Sequence, residues 1–215
     1  MVIVFDALEF LQSLPSNSVP LILTDVPYGE VKSSPCTWRN LDKGDADIVT
    51  FDFLEIISEC ARVCSGSTYI FCGWQQLADG RKFCRNNGYT DRICIYEKTN
   101  PMPLRGEFVW LSGVECCLFF RKPKATFNAH CKNTVWRYPV ARVKGHPTPK
   151  PLKLFRYLIS VSSNPGDLVV DPFCGSGTTG VAALLEGRDF QGCDINPDYV
   201  LLSNDRISGA YDERH

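Results

Sequence analysis

Two short stretches hold residues whose types and spacing can do chemistry. The first is Thr24-Asp25-Val26-Pro27-Tyr28-Gly29, closing an apolar run. It sets a carboxylate, an aromatic ring and a backbone stiffened by the fixed φ of proline side by side. An exocyclic amine on adenine or cytosine is a poor nucleophile, because its lone pair is delocalised into the ring. The Asp25 carboxylate and the Val26 carbonyl can accept the two amine hydrogens and favour a tetrahedral nitrogen. Tyr28 can stack on the base. Read alone, the stretch is more simply a type I turn with proline at its second position.

The second stretch changes that balance. Asp171-Pro172-Phe173-Cys174-Gly175-Ser176-Gly177-Thr178-Thr179-Gly180 follows a strand pattern and opens a helical one. Its glycines permit a tight turn and leave room for a ligand against the backbone. It contains G-x-G-x-x-G, and Asp194 stands 19 residues beyond Gly175 at the end of the next strand pattern. An acid there can hold ribose hydroxyls, so the pair reads as an adenosine-ribose site. A dinucleotide site competes. The opening Asp171-Pro172 and the 35 residues left after Gly180, too few for a second mononucleotide half, count against it.

Charge adds a third feature. Between Glu115 and Asp167 there is no acidic residue, while Arg121, Lys122, Lys124, Lys132, Arg137, Arg142, Lys144, Lys150, Lys153 and Arg156 fall in the interval. The formal net charge of −1 therefore hides a basic segment, interleaved with Phe127, Trp136 and Tyr138. Such a segment can contact phosphates, against the plainer reading of a solvated face.

The elements that must position these residues are strands alternating with helices. Seven strand patterns fall at residues 2–5, 19–24, 67–72, 90–96, 114–120, 168–170 and 190–194. Most are apolar on both faces, as buried strands are. Asp6 can cap a helix burying Leu8, Leu11 and Leu14. Phe53, Ile57, Cys60, Ala61 and Cys64 make a second apolar stripe, and residues 76–87 a third helix ended by Gly88. Pro151 can sit at N1 of a helix burying Phe155, Leu158 and Ile159. Residues 178–186 end at Gly187, and Asn196-Pro197 reads as N-cap and N1 of a last helix through Ile207. This order predicts an α/β, doubly wound sheet. The 114–120 strand follows 90–96 with no helix between, so it is expected antiparallel. Residues 29–49 and 98–107 read as long loops of the kind that carry function.

Length and composition agree with one domain. The 215 residues are 44% hydrophobic and 22% charged, which excludes a disordered chain. No apolar run approaches the roughly 20 residues that span a bilayer, and the N-terminus lacks a signal-peptide pattern, so no membrane association and a cytoplasmic location are expected. The 11 cysteines include no C-x-x-C pair and accompany three histidines, so neither a disulfide framework nor a metal site is expected.

Together the two turns resemble those of the beta-class S-adenosylmethionine-dependent amino-methyltransferases that act on adenine N6 or cytosine N4 of DNA, with the motif order circularly permuted. The resemblance covers nearly the whole chain. Asp171 through Thr179 matches the family's cofactor motif throughout, which implies cofactor-binding roles for Asp171, Pro172, Phe173, Gly175, Gly177 and Thr178. His146-Pro147-Thr148-Pro149-Lys150-Pro151 is similar to its second cofactor motif, with Thr148 and Lys150 near the methionine end. Gly192-Cys193-Asp194-Ile195 is similar to the ribose-binding strand end. Asp6-Ala7-Leu8 matches the acidic start, where Asp6 would meet the cofactor adenine. The resemblance implies a Rossmann-like, mostly parallel seven-stranded sheet with one antiparallel strand, the cofactor S-adenosylmethionine, DNA as partner, and a homodimer.

In this reading Asp25, Val26, Pro27 and Tyr28 carry the chemistry, with the base flipped out of the stack. Arg121, Lys122, Lys124, Lys132, Arg137, Arg142 and Lys144 would contact DNA, and Trp38 and Arg39 would fold over the flipped base. The chain departs from the family pattern D/S/N-P-P-Y/F/W at Val26, which keeps the carbonyl but loses rigidity, so reduced preorganisation is expected. The family's target-recognition region falls near residues 121–146 and is short here. Adenine is favoured because the turn starts with Asp25; cytosine-N4 transfer is the runner-up. A non-catalytic module binding DNA and S-adenosylmethionine, and a nicotinamide-dependent oxidoreductase, are the rivals from other classes. Pro35-Cys36 resembles the nucleophile of cytosine-C5 enzymes, but the cofactor motif follows it here instead of preceding it.

Overall fold

A computed structural model describes residues 1–28, 51–101 and 110–212. In chain order its elements are β1 (Val2–Val4), α1 (Ala7–Ser13), β2 (Val19–Asp25), α2 (Phe53–Val63), β3 (Cys64–Cys72), α3 (Trp74–Asn86) and β4 (Thr90–Lys98). They continue with β5 (Val114–Arg121), β6 (Val135–Tyr138), α4 (Leu152–Ser162), β7 (Leu168–Asp171), α5 (Thr178–Leu185), β8 (Asp189–Asp194) and α6 (Pro197–Asp212). The strands form one sheet in the order β1-β8-β7-β2-β3-β5-β4-β6. β5 runs antiparallel to both β3 and β4, and the other pairs are parallel. The expected doubly wound, mostly parallel α/β architecture is therefore present.

The sheet has eight strands where seven are expected. The added strand, β6, pairs Val135–Tyr138 with Ile95–Lys98 of β4. Its four residues sit inside the basic segment, and length alone hides them. Trp136 is buried, its ring 6.2 Å from Tyr69 and 6.3 Å from Phe71. Burial of the Trp136 indole against the sheet removes it from any polyanion-facing surface.

Two helical layers cover the sheet. On β2, Leu21 and Leu23 point to one layer and Ile22 to the other, as strand alternation requires. Leu154, Phe155, Leu158 and Ile159 of α4 join the first layer with α5 and α6. α1 and α2 make the second, continued by α3. The α1 face differs from the expected one. Ala7, Phe10 and Leu11 are buried, while Leu8 is half-buried and Leu14 is already the C-cap. Cys64, expected on α2, opens β3 instead. The described cysteines are free thiols, and all but Cys131 are buried.

Strand order fixes where a ligand can bind. β2 and β7 are neighbours, and from them the chain winds outward in both directions. Ligands of open α/β sheets bind beyond the carboxyl ends of strands at such a switch point. Asp25 ends β2 and Asp171 ends β7, so the fold brings together two turns 146 residues apart in sequence. Among the described residues, no helix is long and apolar enough to cross a membrane.

Candidate active site

The two turns are joined by a buried hydroxyl. Thr24 Oγ1 donates to Asp171 Oδ1 at 2.7 Å, and the other Asp171 oxygen accepts from Thr179 Oγ1 at 2.5 Å. The Phe173 N–H adds a third donor at 3.0 Å. Burial pushes the Asp171 carboxyl up to about 6 even against these donors. The carboxylate of Asp171 is therefore occupied in shaping the turn.

The glycines are required by space. Gly177, the N-cap of α5, has φ +75°, and a Cβ there would stand 2.6 Å from Ser203. Gly175 has φ +49°, and a Cβ would meet the His146 ring at 2.8 Å. That contact seats the His146–Lys150 segment on the glycine turn. Arg206 of α6 donates to the Ser176 carbonyl and lies 3.4 Å from Thr178 Oγ1. Burial, with Lys150 and Arg206 nearby, lowers His146 to about 4, so the ring is neutral at pH 7.

The end of β8 completes this half. Asp194 Oδ2 accepts the Gly175 N–H at 2.8 Å, and Oδ1 accepts the Asn196 N–H at 2.9 Å. Asp6 caps α1, its Oδ1 accepting from the Leu8 and Glu9 amides at 2.8 and 3.1 Å. β1 and β8 pair in parallel through Val4 and Asp194, which brings the two acids to one sheet end.

The other half is a charge cluster around Asp25. Lys150 Nζ donates to Asp25 Oδ2 at 2.5 Å and to Glu115 Oε2 at 3.0 Å. Tyr28 Oη donates to Asp25 Oδ1 at 2.9 Å and lies 3.2 Å from Glu115 Oε2. Lys98 closes the set on Glu115 Oε1 at 2.8 Å. Two carboxylates thus face two ammonium groups. Burial works against the Lys150 charge, but Asp25 and Glu115 outweigh it and hold its pKa above the usual lysine value. Burial likewise pushes Glu115 up, but Lys150 and Lys98 together bring it down to about 2. Burial raises the Asp25 carboxyl and Lys150 pulls it back.

Both halves line one cavity of about 360 Å³. Its walls include Asp6, Asp25, Val26, Pro27, Tyr28, Thr148, Lys150, Asp171, Pro172, Phe173, Gly175, Thr178 and Asp194. Gly177, expected to bind cofactor, is not among these walls and packs against Ser203 of α6. His146 of the second motif also lines it, as do Glu115, Lys98 and the exposed Trp74, which sequence reasoning did not single out. Glu115 had a signal: it is an acid inside the otherwise apolar run Val114–Phe120.

The basic residues do not gather in one place. β5 is antiparallel, so Arg121 pairs with Ser67 near the start of β3, while the cavity lies beyond Cys72. Five residues at about 3.3 Å each put Arg121 roughly 17 Å from the cavity end. Lys122 and Lys124 follow it there, and Lys122 bonds Asn17. Arg137 is paired with Glu97, Arg156 with Glu186, and Lys150 is buried. Arg142 and Lys144 lie on the segment leading from β6 to His146, at the cavity end. Lys132 is exposed ahead of β6. Trp38 and Arg39 lie outside the described residues.

The model of a family described as DNA methylase, acting at N6 and N4 positions, matches residues 19–205. The chain belongs to this DNA methylase family. It is 31% identical to the DNA adenine methyltransferase YhdJ of Escherichia coli (strain K12), over 95% of this chain and 81% of that one. It is 29% identical to the type II methyltransferase M.HpaI of Haemophilus parainfluenzae, over 96% and 73%. The crystal structure of the M1.HpyAVI–SAM complex superposes with a TM-score of 0.75 at 27% identity, covering 96% of this chain and 98% of that one.

Proposed function

We propose that the chain transfers a methyl group from S-adenosylmethionine to the exocyclic N6 of an adenine flipped out of DNA. The observation that carries this reading is the single cavity shared by the Asp25–Tyr28 turn and the glycine turn. The reading has support in the adenine specificity named for YhdJ and in the M1.HpyAVI–SAM complex.

The residues present fit the cofactor. The Gly175 turn offers backbone against which no side chain could stand. Asp194 at the β8 end supplies an acceptor for ribose hydroxyls, Asp6 an acceptor for an adenine amine, and Phe173 and Thr178 flank the turn. When bound, S-adenosylmethionine supplies an electrophilic methyl group. Asp25 and the Val26 carbonyl accept the amine hydrogens and return the nitrogen lone pair from the ring. The transfer is direct, with no covalent enzyme intermediate. The departing amine proton has an acceptor in Asp25. Tyr28 both orients Asp25 and offers a ring to the base. Lys150 favours the ionised form of Asp25 against the burial that raises its carboxyl, and Glu115 anchors Lys150 there.

DNA is held by phosphate contacts, for which Arg142 and Lys144 at the cavity end are the best placed. The chain is one methyltransferase domain, and β6 ties its recognition segment near 121–146 to the sheet. Incubation with S-adenosylmethionine and unmethylated DNA, followed by digestion and mass spectrometry of nucleosides, tests the reading. A rise in N6-methyladenine is expected. N4-methylcytosine would overturn the base assignment while keeping the amine chemistry, and neither product with intact cofactor binding would overturn both.

A further inference from the structure

The sequence departs from its family at Val26, where a ring would stiffen the turn, and the structure shows what stands in its place. Val26 has an N–H that proline lacks, and it donates to the Phe71 carbonyl at 3.1 Å. This adds one rung to the β2–β3 pairing beyond Asp25. The Val26 side chain is 2% exposed, in a cluster with Ile57, Ile70, Cys72 and Leu77. The next residue is held from the other side. Gln76 Nε2 donates to the Pro27 carbonyl at 2.9 Å, and Gln76 Oε1 accepts the Gly73 N–H at 2.9 Å. One primary amide thus bridges the turn after β2 and the turn after β3. A Cβ on Gly73 would stand 2.8 Å from the Tyr28 carbonyl, so the two backbones are in contact there as well.

We infer that Gln76 is a positioning residue for the Asp25–Tyr28 turn, which it and the buried, ladder-bonded Val26 clamp together in place of the missing proline ring. Gln76 suits this because an amide carries both a donor and an acceptor. Glutamate at this position would still accept from Gly73 but has no hydrogen for Pro27, so it removes one leg and keeps the other. The two clamps act on one turn. Val26→Ala keeps the N–H to Phe71 and removes only the buried side chain, so together with Gln76→Glu it weakens both clamps, and the carboxylate and carbonyl that must meet the amine are held less firmly.

The inference rests on the methyl-transfer reading, and its test is built to separate the two. Steady-state kinetics on DNA are measured for Gln76→Glu, Val26→Ala and the double variant, with cofactor affinity and hydrogen exchange of the Val26 amide. Gln76→Glu is expected to lower kcat about three- to tenfold, the effect of one hydrogen bond. The double variant is expected to lose at least about threefold more than the product of the single losses, as coupled neighbours do. Cofactor affinity stays within about twofold, since the glycine turn is untouched, and the Val26 amide exchanges faster in Gln76→Glu. Single losses that simply multiply, a kcat equal to wild type, or a loss matched by weakened cofactor binding would overturn the inference. If the double variant does not fold, Gln76→Leu replaces it: losing both legs, it must lower kcat more than Gln76→Glu does, or the inference fails. A wild-type chain that transfers no methyl group would overturn the functional reading instead, and the Val26 exchange rate would still report whether the clamp exists.

Discussion

Replacing Glu115 by glutamine separates what the charge cluster does for the fold from what it does for Asp25. Glu115 accepts from Lys98 and Lys150 and lies 3.2 Å from the Tyr28 hydroxyl, with its side chain 17% exposed. Its carboxyl is held at about 2 instead of 4.5. A gap of about 2.5 pH units at about 1.36 kcal/mol each makes the ionised form worth roughly 3 kcal/mol to the folded state. Because the folded value is the lower one, this stability is present above pH 4.5 and is lost as pH falls through about 2. The Glu115→Gln variant would keep the shape but leave Lys98 unpaired beside a Lys150 that still has Asp25. The cost is expected to be about 2–3 kcal/mol at pH 7, somewhat below the usual range for breaking a buried pair because the site is partly open to water. With a slope near 2 kcal/mol per M, the urea midpoint should fall by about 1–1.5 M. Glu115 also raises the Asp25 carboxyl by like-charge repulsion. Its loss should therefore move the acid limb of the methyl-transfer rate to lower pH while the protein becomes less stable. A urea midpoint within about 0.3 M of wild type, or an acid limb displaced upward, would refute the cluster as described.

The remaining perturbations address other parts of the cavity. Asp194→Ala should weaken S-adenosylmethionine binding about tenfold or more by calorimetry, because an acceptor for ribose hydroxyls and the bond that holds the Gly175 amide are both lost. Arg142→Ala and Lys144→Ala should each reduce the slope of log K against log salt by about one in DNA titrations, whereas Arg121→Ala should leave it unchanged. Asp171, raised from 3.8 to about 6 in the fold, binds more protons folded than unfolded across that range. Wild type should therefore lose stability relative to Asp171→Asn as pH rises from about 4 to about 6, read as the difference in thermal midpoints.

Much of this was legible in the sequence for a physical reason. Both turns are local: a strand end, glycines at fixed offsets and a carboxylate are chemistry written over a few consecutive residues. The α/β alternation followed from apolar runs and helical stripes, down to the antiparallel β5. What could not be read depended on partners distant in the chain. Glu115, Lys98 and Lys150 become a cluster only when β5 and β4 stand beside β2 and β3, and Gln76 meets Pro27 only across two strand ends. The basic segment misled because charge pattern carries no direction. Since β5 runs antiparallel, its far end takes Arg121, Lys122 and Lys124 away from the cavity, and Lys150 is consumed by Asp25 and Glu115. β6 escaped because four residues are too few to show a period, and its Trp136 counted as surface until the sheet buried it.

The proposed chemistry stands or falls on Asp25. Transfer of labelled methyl from S-adenosylmethionine to DNA by Asp25→Ala, with cofactor affinity measured on the same preparation, tests it most directly. The expected result is loss of about a thousandfold or more in the transfer rate, the scale at which a group acting on the reacting atoms matters, with cofactor affinity changed by no more than about threefold. Undiminished transfer by Asp25→Ala would contradict the assignment of the turn.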